Sequence, residues 1–167
     1  NTVEYKLIAR HYGDRKAKRS KVPLMNHINE GLAVLDFISA SKEAKRAFCM
    51  HPLFQANDDL FENSYMASFV EPHVLLLTME YRNIANAFLS DKMDDTIIGD
   101  IKLSPLHEVN QMLIADKVQN RKDFITYHKG THPRTEQLDL YFKNWLDALN
   151  IDEGTYECLC GVIDDTK

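Results

Sequence analysis

The chain has 167 residues and a mass of 19.3 kDa, with 44% hydrophobic and 27% charged residues, enough for one domain around a single core. A net charge of −5 argues against a general binder of long nucleic acids, and no run approaches the roughly 20 apolar residues that span a membrane. Three cysteines, Cys49 and the C-x-C of Cys158 and Cys160, are too few for a disulfide framework and weak as a zinc motif, so reduced thiols in a cytoplasmic protein are expected.

Charge is distributed unevenly. From Arg10 to Lys21 there are six basic residues (Arg10, Arg15, Lys16, Lys18, Arg19 and Lys21) against Asp14 alone. From Ile151 to Lys167 five acids stand against Lys167. A basic segment on an acidic chain suits a small anionic ligand better than a long polyanion.

In chain order, Thr2 to Tyr12 reads as an amphipathic helix with Val3, Leu7 and Ile8 on one side, stopped by Gly13-Asp14. Its polar residues do not read as a signal peptide. The basic loop follows, and Pro23 opens a second helix from Leu24 to about Ala40. Ser41 caps a third helix through Met50, and Pro52 is expected to leave His51 at a helix end or bend. Asn57-Asp58-Asp59 marks a turn or a further helix start. Glu71-Pro72 opens an apolar helix, His73 to Leu89; Ser90 to Leu103 reads as a mobile connection. Ser104-Pro105 leads into a helix of about Leu106 to Tyr127, and the last long helix runs from Arg134 to Asn150. The expected fold is all-α, a bundle of about six or seven helices over residues 1–150, with 151–167 as an appended acidic tail. Within that tail Tyr156 to Val162 is weakly compatible with a short strand.

Asp116 and Asn120 lie four residues apart in the predicted late helix, on one face, and supply oxygen ligands that need partners from elsewhere. The spacing is equally compatible with ordinary solvated or capping residues. Among the histidines, His11, His107, His128 and His132 have surface or loop contexts and His73 begins a buried helix. His27 is near Gly31, where another group can approach closely, and His51 ends an apolar run where a polar group needs a partner. Together His27, His51 and Asp116 would make a nitrogen–nitrogen–oxygen set for Mn, Fe or Zn, although their long separations make the set nonspecific by spacing alone.

Two motifs, Pro23-Leu24-Met25-Asn26-His27 and Ala115-Asp116-Lys117 with Asn120, combine with Arg10-His11-Tyr12-Gly13-Asp14-Arg15-Lys16 and with Ala47-Phe48-Cys49-Met50-His51. In that order, and with similar gaps over about residues 5–150, they resemble the HD-domain hydrolases, most closely the RelA/SpoT-type alarmone hydrolase branch. The resemblance implies an HD-like helical bundle with metal ligands His27, His51 and Asp116. It also implies phosphate contacts from Arg10, Arg15, Lys18, Arg19 or Lys122, with Asn120 in the binding site. The chain departs from the pattern where the aspartate of the His-Asp pair is Pro52, and where the acidic pair beyond it falls at about Gln55 and Ala56. Proline cannot ligate a metal, and an amide is a poor general base. Asp58, Asp59 and Glu62 follow closely enough to take over that role.

Three functions compete. One is a metal-dependent phosphohydrolase acting on a nucleotide, with a purine nucleotide carrying a pyrophosphate, of the (p)ppGpp type, as the implied substrate class. Another is a catalytically inactive relative that binds such a nucleotide as sensor, sink or inhibitor. The third is a helical protein-interaction scaffold. A homo-oligomer is compatible with each.

Overall fold

The computed structural model describes residues 2–90 and 101–165. They form an all-α structure without strands. Eight helices follow in order: α1 (Val3–Tyr12), α2 (Met25–Phe37), α3 (Lys42–Phe54), α4 (Asn57–Asn63), α5 (Pro72–Ala87), α6 (His107–Asp123), α7 (Thr135–Ala148) and α8 (Glu153–Asp164). A 3₁₀ segment, Ser64–Phe69, follows α4, and a π-helical turn, Phe124–His128, extends α6. The expected connection Ser90 to Leu103 lies largely outside the described residues.

Local chemistry sets the helix ends. Ser41 Oγ accepts from the Ala44 amide at 3.0 Å, and Asp152 Oδ1 accepts from the Thr155 amide at 2.7 Å. Gly13, at φ 51°, closes α1 with its N–H on the Ala9 carbonyl. The basic loop is clasped by backbone bonds: Ala17 N–H to the Val22 carbonyl and Leu24 N–H to the Arg15 carbonyl, around a bridge between Lys16 and Pro23. Pro23 therefore belongs to this clasp, and α2 starts at Met25, one residue later than expected.

Two expectations are corrected. The chain after Asp152 is not an appended tail, nor is Tyr156–Val162 a strand: α8 packs against α2 and α6 and buries Tyr156, Leu159 and Ile163. Their three- and four-residue spacing supplies the apolar stripe that a bundle helix needs. This helix and α4 bring the number to eight, rather than six or seven. The second correction concerns Pro52, which does not end α3: the helix runs on to Phe54. Proline removes the N–H that would bond the Phe48 carbonyl one turn back. That carbonyl is instead taken by His51 Nδ1 at 2.6 Å, so the helix loses a donor without orphaning the acceptor.

α6 is the axis of the bundle, in contact with α2, α3, α5, α7 and α8. Val109, Met112, Leu113, Ala115 and Val118 are fully buried on it, and Gln111, Asp116, Lys117, Gln119 and Lys122 are buried as well. α1 is pinned to α3 by the buried carboxylate of Glu4, 2.9 Å from Arg46, which also reaches Glu71 at 3.0 Å.

Gly31 decides how closely α3 approaches α2. A Cβ there would lie 2.2 Å from both Cε1 and Cζ of Phe48. The Phe48 ring in turn packs on His27 and His51, with centroids 5.6 and 4.6 Å away. Gly31→Ala is therefore expected to displace the ring and destabilise the fold by about 1–3 kcal/mol, the usual cost of overpacking, measured as a lowered urea midpoint.

Candidate metal centre

α2, α3 and α6 each contribute one ligand atom to a common point. His27 Nε2 and His51 Nε2 are 3.1 Å apart, and Asp116 Oδ1 lies 3.5 Å from the first and 3.6 Å from the second. Donors held about 2.1 Å from one transition-metal ion stand about 3.0–3.4 Å from each other in octahedral or tetrahedral arrangements. The nitrogen–nitrogen edge falls in that range, and the two edges to Asp116 exceed it by 0.1 and 0.2 Å. The three residues carried from the sequence are thus brought together, and they could hold a metal ion.

Hydrogen-bond logic assigns the protons. The Phe48 carbonyl only accepts, so His51 Nδ1 carries the hydrogen and Nε2 the lone pair. His27 Nδ1 lies 2.6 Å from Gln119 Oε1. The Gln119 amide orientation is fixed because its Nε2 donates to two carboxylates, Glu30 at 3.0 Å and Asp123 at 2.9 Å. His27 Nδ1 must then donate as well. Two lone pairs consequently face each other, with a carboxylate oxygen beside both. A proton on one nitrogen lets it donate to the other, with Asp116 Oδ1 as counter-charge, whereas a cation is shared by all three atoms.

Electrostatics agrees. His51 is 2% exposed, and burial, reinforced by His27, pushes its pKa down to about 3, which keeps it a neutral ligand. Burial by itself would raise Asp116, but Lys117, His27 and His51 outweigh it and hold the carboxyl well below its usual range. Lys117 Nζ pairs with Asp116 Oδ2 at 2.8 Å, donates to Tyr141 Oη at 3.2 Å and lies 4.9 Å from the Trp145 ring. Asp116 Oδ1, the oxygen on the histidine side, accepts from Asn120 Nδ2 at 3.0 Å. Tyr81 packs its ring 4.8 Å from His51, and burial together with the neighbouring Asp116 carboxylate pushes its hydroxyl pKa up.

The triad opens on a cavity of about 320 Å³ whose walls include Tyr12, Ser20, Pro52, Gln55, Gln119, Asn120 and Asp123. Other expected residues are placed differently. Asn120 serves Asp116 as an orienting donor as well as lining the cavity. Lys122, expected at phosphate, is buried in an ion pair with Glu30 at 3.0 Å, because a lysine on this face of α6 meets a carboxylate of α2 first. Arg15 is turned back onto the His11 and Tyr12 carbonyls. Arg10 lines a separate groove beside Tyr65 and Phe69, while Lys18 and Arg19 are exposed on the clasped loop. Asp58 and Glu62 are exposed on α4, and only Asp59 of that group reaches a wall, that of an adjoining chamber. Gln119, Glu30 and Asp123 were missed by sequence reading. The signal was available: Asp116, Gln119, Asn120 and Asp123 fall at i, i+3, i+4 and i+7 of one helix face.

Comparison of the chain with protein-family models, with curated proteins and with solved structures gives no match.

Two outcomes follow from this geometry. Pro52→Ala restores an N–H that competes with His51 Nδ1 for the Phe48 carbonyl, so metal affinity is expected to fall about 10–100-fold without loss of fold stability, read by metal titration and urea unfolding. In metal-free protein, depressed His51 binds fewer protons folded than unfolded, so stability is lost as pH falls from about 6.5 towards 3, with a further loss from Asp116 below about 4. His51→Asn keeps the Nδ1-side donor and is expected to flatten the urea midpoint between pH 7 and pH 5.

Proposed function

We propose that this chain is an HD-like metal-dependent phosphohydrolase acting on a nucleotide, with a purine nucleotide bearing a pyrophosphate as the substrate class. The observation that carries the reading is the convergence of His27 Nε2, His51 Nε2 and Asp116 Oδ1 from three helices on one point. The resemblance of the surrounding motifs points the same way. Mn, Fe and Zn all suit two imidazoles and one carboxylate. When bound, such a cation supplies Lewis-acid polarisation of a phosphoryl oxygen and a nucleophilic water at neutral pH.

The chain's own residues do the rest. His27, His51 and Asp116 hold the ion; Gln119 and the Phe48 carbonyl fix the two rings; Lys117 and Asn120 fix the carboxylate. Lys18 and Arg19 add positive field near the cavity, which favours arrival of an anion. Asp123 is the second carboxylate on the cavity wall and the group placed to accept a proton from water or to return one to a leaving oxygen.

A second reading, binding without turnover, is favoured by one feature. Pro52 and Gln55 stand on the cavity wall, and Asp123 is already engaged by Gln119 and Lys122. The two readings separate in a single series. Protein purified without chelator is expected to carry about one transition-metal ion per chain, lost in His27→Ala, and to release phosphate or pyrophosphate from guanine nucleotides. Asp116→Ala is expected to reduce that release at least 100-fold. Metal and nucleotide binding without product would establish the binding-only reading, and the absence of metal from both proteins would overturn each.

A further inference from the structure

Of the six described lysines and arginines that are buried or half-buried, five are paired with carboxylates. Lys45 meets Asp36, Arg46 meets Glu4 and Glu71, Lys117 meets Asp116, Arg121 meets Glu153 and Lys122 meets Glu30. Arg82, on α5, is the exception. Its Nη2 donates to Asn57 Oδ1, its Nε is buried without a partner, and it forms no ion pair with any described carboxylate. Charge on a half-buried guanidinium with an unmatched donor is costly unless an anion completes it.

Arg82 faces space that an anion can enter. It lines a chamber of about 650 Å³ which adjoins the metal cavity, the two sharing Tyr12, Pro52 and Gln55 as common walls. Asp59 lines the same chamber without pairing to Arg82.

We propose that Arg82 is a phosphate-binding residue, and that its chamber takes a phosphoryl group of the ligand other than the one beside His27, His51 and Asp116. A guanidinium offers several N–H donors in one plane, which matches phosphate oxygens better than a point charge does. The division of labour makes the ligand a compound with at least two phosphoryl groups, one in each chamber. Asp59 acts against such a ligand and limits its affinity. This inference rests on the phosphohydrolase reading for the role of the second chamber, while the anion site itself is testable apart from it.

The test is calorimetric titration of inorganic pyrophosphate and of GDP into the full chain, with and without Mn²⁺. Arg82→Ala is expected to weaken both at least tenfold under each condition, Arg82→Lys to weaken them less, and Asp59→Asn to tighten them. Metal content of Arg82→Ala is expected to equal that of the unaltered chain. Affinities within twofold of the unaltered chain in Arg82→Ala, weaker binding in Asp59→Asn, or no binding of either probe by the unaltered chain would each overturn the proposal. An Arg82-dependent affinity in a chain that takes up no metal would leave the anion site standing and remove the hydrolase reading. Metal uptake and turnover with no dependence on Arg82 would do the reverse.

Discussion

His27 Nε2 and His51 Nε2 meet across 3.1 Å, and where neither carries a hydrogen their lone pairs oppose each other. Each ring nitrogen could have relieved the conflict by turning its N–H inward. Neither does, because both Nδ1 hydrogens are claimed from behind, one by the Phe48 carbonyl and one by Gln119. Gln119 is itself held by Glu30 and Asp123, and Lys122 spans both carboxylates. A run of buried polar contacts through α2, α3 and α6 therefore maintains a locally unfavourable geometry. Such an outer shell is the expected support of a ligand set for a cation.

Formal charge gives the same answer independently. Around the triad the carboxylates of Glu30, Asp116 and Asp123 outnumber the ammonium groups of Lys117 and Lys122 by one. A divalent cation converts that single negative charge into a single positive one, at the inner end of a cavity bordered by the basic loop. An anionic ligand then meets attraction where the metal-free protein offers repulsion. On the proposed reading, binding of metal and binding of anion would be coupled through Coulomb interaction in a poorly screened site.

Much of this was legible in residue order, and the failures have identifiable causes. Ser41, Gly13 and Asp152 follow local rules that need no tertiary information, although the helix after Asp152 was concealed by its acids and its C-x-C. Its stripe of Tyr156, Leu159 and Ile163 becomes a core only because α2 and α6 present a complementary face. His27, His51 and Asp116 were recoverable through motif resemblance, since nothing in spacing alone joins residues so far apart. Pro52 was misjudged because a general penalty was applied where a neighbouring side chain cancels it. Lys122 was assigned to phosphate by its charge, but charge does not tell which side of a largely buried helix a lysine faces. Arg82 had no sequence signal at all: its distinction lies in forming no ion pair with a described carboxylate, which only coordinates reveal.

The choice between turnover and retention turns on the walls rather than on the metal ligands. Hydrolysis needs a group that takes a proton from the attacking water, and a carboxylate serves best when no other cation or donor competes for its lone pairs. Asp123 shares one oxygen with Gln119 and lies 3.4 Å through the other from Lys122. Those contacts use part of its capacity, yet a carboxylate has about four acceptor positions and retains room for a water. The Lys122 contact is also long, and Lys122 is bound more closely by Glu30 at 3.0 Å. Asp59 is less encumbered but stands in the Arg82 chamber rather than on the wall of the triad's cavity. On the proposed hydrolase reading, the base would therefore be Asp123, on the wall of the triad's own cavity, while Asp59, in the adjoining chamber, would weaken a phosphoryl group bound at Arg82.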